Sequence, residues 1–175
     1  NMVESDPTRA SSALAAPWPA PAQAVRPEWI DANGHMNVAY YVLVFDHATD
    51  AFLDLLDVGE RYRTMEGKAF FVTEAHVTYE RELREGDQLQ VFTQILGFDG
   101  TRLVLFHQMQ CERLGGPAAA TNEVLCLNVD LETRRAVPLA AAARERLHVA
   151  AAAHAQLPRP ARAGRAISLA TRRPG

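Results

Sequence analysis

An α+β fold, with one long helix held in a curved antiparallel sheet, is what this sequence predicts. Three observations carry the prediction. Residues 38–57 have helical character, and their first two turns bear no charge on any face, so a helix there must be enclosed. Further on, Leu89, Val91, Thr93 and Ile95 alternate with Gln88, Gln90, Phe92 and Gln94, the period of a strand. Short breaks such as Gly97-Phe98-Asp99-Gly100 and Gly115-Gly116-Pro117 then separate strand-like segments, as in an antiparallel meander. With 175 residues, 48% of them hydrophobic, the chain is long enough for one well-buried domain and short for two.

Taken in order, residues 1–20 are rich in Ala, Pro and Ser without periodicity and read as a flexible leader. Ala13-Leu14-Ala15 is reminiscent of a cleavage site, but no apolar stretch precedes it, so no signal peptide is expected. The folded domain is placed at 21–157. Residues 22–29 read as a short strand, with Pro27 confining that end to an edge or terminus. A loop over 30–37 leads into the helix at 38–57, which Gly59 is expected to stop near C′. Asp46, Asp50, Asp54 and Asp57 form an acidic stripe on it. That stripe reads as a solvated edge, or else Asp46 or Asp50 faces a substrate cavity.

Residues 60–68 read as a polar connection. Residues 70–80 make a strand with Phe71, Thr73, Ala75, Val77 and Tyr79 on one face and Glu74 and His76 on the other. In the next pair of strands, Leu103, Leu105, His107, Met109 and Cys111 share a face opposite Val104 and Phe106, and 121–131 is the last strand. An Ala-rich helix follows at 140–153, surface-packed because its apolar side chains are small. Open sheet edges predict dimerisation by edge pairing. Residues 158–175 hold five arginines and no acid, which reads as a disordered basic tail or as a contribution to binding an anion.

A net charge of −3 exerts no general pull on nucleic acid or membrane, and no apolar run is long enough to span a bilayer. Cys111 and Cys126 sit in separate strands without metal-ligand spacing. Reduced core thiols in a cytoplasmic protein, with no metal, are therefore expected.

The chemistry concentrates at residues 30–41, Ile-Asp-Ala-Asn-Gly-His-Met-Asn-Val-Ala-Tyr-Tyr. Asn37 is a good N-cap, so a helix starting at Val38 would aim its free N–H groups back at the loop holding Asp31. A carboxylate beside such a site suits attack on a carbonyl. Asp31 could equally form an Asx-turn, and Gly34 could serve an ordinary tight turn. His35 could bond Asp31, position a water or brace the loop. Tyr40 and Tyr41 read as core aromatics that could also touch substrate.

Asp31, Gly34, His35, Asn37 and Tyr40 spell Asp-x-x-Gly-His-x-Asn-x-x-Tyr, which resembles the acyl-CoA thioesterases of the hot-dog fold, the 4-hydroxybenzoyl-CoA thioesterase group. Thr73-Glu74-Ala75-His76-Val77-Thr78-Tyr79, followed by Arg84-Glu85-Gly86-Asp87, resembles that family's second strand and the turn after it. The similarity covers about residues 25–138. Within the family, residues 25–31 and 73–76 look most like the branch that cleaves betainyl-CoA in carnitine breakdown.

The resemblance implies hydrolysis of an acyl-CoA to free acid and CoA, with no metal and no cofactor beyond the CoA of the substrate. It also implies a homodimer or homotetramer with active sites at the subunit interface. Asp31 matches the catalytic carboxylate, as nucleophile or as base toward water. Val38 matches the helix N-terminus that offers its backbone N–H to the thioester oxygen, with His35 and Asn37 beside it. Gly34, Tyr40, Tyr41, Glu74, His76 and Arg84 are the candidate substrate contacts. Glu74 is a candidate partner for a cationic acyl group, with the rings of Trp29, Tyr41 and Phe45 available. Arg81 and Arg84 are candidates for the phosphates of CoA. Two alternatives stay open, a hydratase or dehydratase of the same fold and a non-catalytic acyl-CoA-binding module.

Overall fold

In the computed structural model, which describes residues 16–169, the four strand-like segments pair into one antiparallel sheet. They are β3 (Lys68–Tyr79), β4 (Gln88–Phe98), β5 (Arg102–Cys111) and β6 (Ala120–Asp130), in the spatial order β4-β5-β6-β3. Two short strands, β1 (Trp18–Pro19) and β2 (Gln23–Ala24), line the other edge of β4. The domain therefore begins before residue 21: Trp18 pairs with Thr93, and Ala20 is buried. The rest of the expected leader, residues 1–15, lies outside the described residues. Residues 22–29 are not one strand, because Pro27 starts a 3-10 turn over Pro27–Trp29.

The long helix α1 (Val38–Leu55) packs on one face of the sheet. Val44, Phe45, Ala48 and Phe52 meet the inward residues Leu89, Val91, Leu105 and Met109, all buried. Each such aliphatic or aromatic side chain contributes roughly 1.5–3 kcal/mol by leaving water. Inside this apolar layer His107 Nε2 lies 2.9 Å from Thr49 Oγ1 and its Nδ1 2.9 Å from Thr93 Oγ1. Thr49 gives its own proton to the Phe45 carbonyl, so Nε2 must donate to Thr49 and Nδ1 must accept from Thr93. The imidazole is held neutral, and burial pushes its pKa down to about 3.

Gly59 does not end α1. Asp57, at φ 57°, takes the left-handed position, with Asp57 N–H bonded to the Asp54 carbonyl and Val58 N–H to that of Leu53. Nor is the stretch after it a plain connection. Asp54 accepts the Glu60 N–H and starts a helix, α2 (Glu60–Glu66). The last helix, α3 (Ala141–His154), buries Ala143, Leu147 and Ala150 against the far end of α1 and β4.

Two bulges alter the expected faces. Pairing with β6 shifts between Val72 and Glu74, and pairing of β4 with β5 shifts between Ile95 and Gly97. Ala75, Val77 and Tyr79 thus face the helix side, opposite Val124, Asn122 and Ala120, but Phe71 turns to the outer face beside Leu127. The first turns of α1 are also not enclosed: Val38 is 56% exposed and Val42 43%. The sheet covers only one side of this helix, and the other side stays open within a single chain.

Residues 158–169, the described part of the expected disordered tail, form no helix or strand but lie on the outer sheet face. Arg162 pairs with Glu80 at 2.9 Å, and Gly164 N–H donates to the Glu123 carboxylate at 2.6 Å. Phe106, outward on β5, is buried and shares a cavity with Pro160 and Ala161. The acids of β3 and β6 give the basic segment something to hold. Arg172 and Arg173 lie outside the described residues. Among the described residues no helix is long and apolar enough to cross a membrane.

Candidate active site

The loop before α1 is closed by its own backbone. Ile30 bridges Met36, Asp31 N–H donates to the His35 carbonyl, and Gly34 N–H donates to that of Asp31. Gly34 sits at φ 80°, a conformation that costs a residue with a Cβ, so its part is to turn the chain. Met36 N–H bonds the Leu83 carbonyl and Asn37 N–H that of Trp29, which fixes the loop between the chain before it and the segment after β3. That segment is anchored in turn by Asp87. Its carboxylate accepts Arg84 N–H at 2.9 Å and a two-pronged bond from Arg113 at 2.6 and 2.7 Å. The Arg113 guanidinium holds the Asp87 carboxyl below its ordinary range.

Asn37 caps α1 as expected, its Oδ1 accepting Ala39 N–H at 2.9 Å. The Val38 N–H, first of the helix, has no acceptor among the described residues. Asp31 does form the Asx-turn, Oδ1 accepting Asn33 N–H at 2.8 Å, and this bond orients the carboxylate while leaving Oδ2 unengaged. The Asx-turn reading of Asp31 is thus observed, and it leaves the second carboxylate oxygen available.

Asp31, His35, Val38 and Tyr41 line a single open cavity of about 370 Å³ with Tyr79 and Glu82. The His35 side chain braces the loop across this cavity, its Nε2 3.1 Å from Glu82 Oε2, and bonds Asp31 only through the backbone. Tyr41 is both core and wall. Its hydroxyl donates to the Arg81 carbonyl and accepts Leu83 N–H, each at 3.2 Å, while Tyr79 meets its ring edge-on.

Other expected site residues lie elsewhere. Tyr40 stacks on Trp29, with Arg26 on the indole's other contact, and neither ring opens on the cavity. Phe45 is fully buried. Glu74 and His76 stand opposite Leu125 and Glu123, on the outer face of the sheet and away from the Asp31 of their own chain. Arg81 does line the cavity, but spends its guanidinium on the carbonyls of Leu114, Gly115 and Pro117. Arg84 is exposed outside the cavity. Asp46 and Asp50 are exposed and do not line it either, so the acidic stripe is a solvated edge.

Residues that sequence reasoning missed are Tyr79 and Glu82, which the Met36–Leu83 backbone bond brings to the loop. A carboxylate oxygen and an unbonded helix N–H facing one cavity are the parts that addition to a thioester carbonyl needs.

Residues 25–147 match the thioesterase-like superfamily, most of the described chain and all of this cavity. The chain belongs to that superfamily. This thioesterase-like chain is 37% identical to the betainyl-CoA thioesterase of Pseudomonas aeruginosa over 83% of its own length and 91% of that protein's. It is 36% identical to the L-carnitine dehydrogenase/betainyl-CoA thioesterase of Agrobacterium fabrum, covering 81% of this chain but only 29% of that protein. In structure it resembles a Staphylococcus aureus protein solved in complex with CoA, with TM-score 0.78, 28% identity, and 85% and 93% of the two chains covered. A candidate thioesterase of Pseudomonas putida superposes with TM-score 0.74 at 31% identity, covering 89% and 98%. The fold is the hot-dog fold, and the enzyme is a thioester hydrolase.

Proposed function

We propose that this thioesterase hydrolyses a short acyl-CoA with a cationic acyl group, of the betainyl type, to the free acid and CoA. The similarity to the Pseudomonas aeruginosa betainyl-CoA thioesterase across nearly the full length of both proteins carries the choice of acyl group. It also favours hydrolysis over hydration and over a non-catalytic binding role. CoA is part of the substrate, and no further cofactor enters the reading.

Asp31 works on the thioester carbonyl, by direct attack or through a water, and the Val38 N–H stabilises the negative charge that grows on the carbonyl oxygen. Asn37 holds the helix end in place, and His35 holds the loop.

The working form is a homodimer or homotetramer joined through β3. In support, β3 is an open sheet edge that exposes Phe71 and Val72, and α1 exposes Val38 and Val42. The compartment is cytoplasmic, in keeping with two buried free thiols, Cys111 and Cys126.

Thiol release from a panel of acyl-CoAs tests the substrate. Betainyl-CoA should give the highest kcat/KM, and a higher value for uncharged short chains would contradict the reading.

A further inference from the structure

In betainyl-CoA one CH2 separates the ammonium from the carbonyl carbon. Whatever recognises that charge must therefore share the cavity of Asp31 and the Val38 N–H. Of the groups the sequence suggested, Tyr41 lines this cavity, and Glu74, Phe45 and Trp29 of the same chain do not. Glu74 points from the outer sheet face, Phe45 is sealed, and Trp29 lies under Tyr40 with 4% exposure.

The cavity wall offers two other groups of the right chemistry. Tyr79, 45% exposed, presents its ring beside Tyr41, with centroids 5.3 Å apart and planes at 85°, which leaves ring surface open to the cavity. A trimethylammonium group cannot donate hydrogen bonds, so an aromatic face and a nearby carboxylate are what attract it. Glu82 supplies the carboxylate. Its side chain is 73% exposed, and its partner among the described residues is His35. The neighbouring Glu80 is already matched to Arg162, and the Arg81 guanidinium is turned to the carbonyls of residues 114–117. The local balance of the wall is negative.

We infer that Tyr79 and Glu82 form the subsite that reads the positive charge of the acyl group, the ring by its face and the carboxylate by its charge. They are specificity residues and take no part in the bond-breaking step. The inference rests on the betainyl reading.

The test compares kcat/KM for betainyl-CoA with that for 3,3-dimethylbutyryl-CoA, which has the same shape with carbon in place of the charged nitrogen. The unaltered enzyme should favour the cation. Tyr79→Phe keeps the ring face and should keep the ratio, whereas Tyr79→Leu and Glu82→Gln should each lower it about tenfold. An enzyme that shows no preference for the cation defeats the substrate reading, and this inference with it. A clear preference that survives both Tyr79→Leu and Glu82→Gln overturns the inference alone. Should Tyr79→Leu lose all activity, Glu82→Gln, at an exposed side chain, decides.

Discussion

Asn37 Oδ1 accepts the Ala39 N–H at 2.9 Å, while the Val38 N–H beside it bonds nothing among the described residues. The cap satisfies one orphan donor and so fixes the start of α1, where Val38 lines the same cavity as Asp31. On the proposed reading, structure and reaction share this side chain.

Replacing this cap tests both roles. Asn37→Ala should lower unfolding stability by about 1 kcal/mol, read from urea denaturation. It should also lower kcat more than it raises KM, because the N–H it positions serves the charge of the transition state. Asn37→Ser, another good cap, should restore most of both.

His107 makes the core sensitive to acid. Its folded pKa, about 3, lies below the ordinary 6.5, so between these values the unfolded chain binds the extra proton. Its contribution is therefore complete above pH 6.5 and is lost as pH falls toward 3. Below about pH 6 this amounts to roughly 1.4 kcal/mol per pH unit. Urea titrations from pH 7 to pH 4 should show that slope in the unaltered protein and a shallower one in His107→Gln; parallel curves would contradict the assignment.

Thr49→Val removes the acceptor of the His107 Nε2 proton and leaves a buried donor unpaired. The expected loss is about 1–3 kcal/mol in thermal or urea unfolding. Thr93→Val removes the donor to Nδ1 and should cost a similar amount.

Val72→Lys places a charge on the open edge strand, on the side facing the helix. If β3 joins the subunits, sedimentation velocity should show a shift toward monomer at micromolar concentration, with a parallel loss of activity. An unchanged sedimentation coefficient would move the subunit contact elsewhere.

Much of this architecture was legible because it rests on short-range signals. The cap at Asn37, the alternation from Leu89 to Ile95 and the glycine breaks each act within a few residues. What escaped depends on partners far along the chain. The bulge between Val72 and Glu74 exists only against β6, and it decides which side of the sheet Glu74 and Phe71 face. Helix α2 starts on Asp54, a carboxylate of the preceding helix. Tyr79 and Glu82 reach the Asp31 loop through the Met36–Leu83 bond, and Arg162 is held by Glu80. No local pattern encodes those meetings.

The central claim is that Asp31 and the start of α1 form the centre that cleaves the thioester. Thiol release from betainyl-CoA, followed with the unaltered enzyme and with Asp31→Asn, tests it most directly. The Asn side chain keeps an oxygen to accept the Asn33 N–H, so the loop should hold while the charge is lost. A fall in kcat of about 10²-fold or more, with the variant as resistant to unfolding as the parent, is the predicted result. Turnover within a few-fold of the parent would contradict it and place the reacting carboxylate elsewhere.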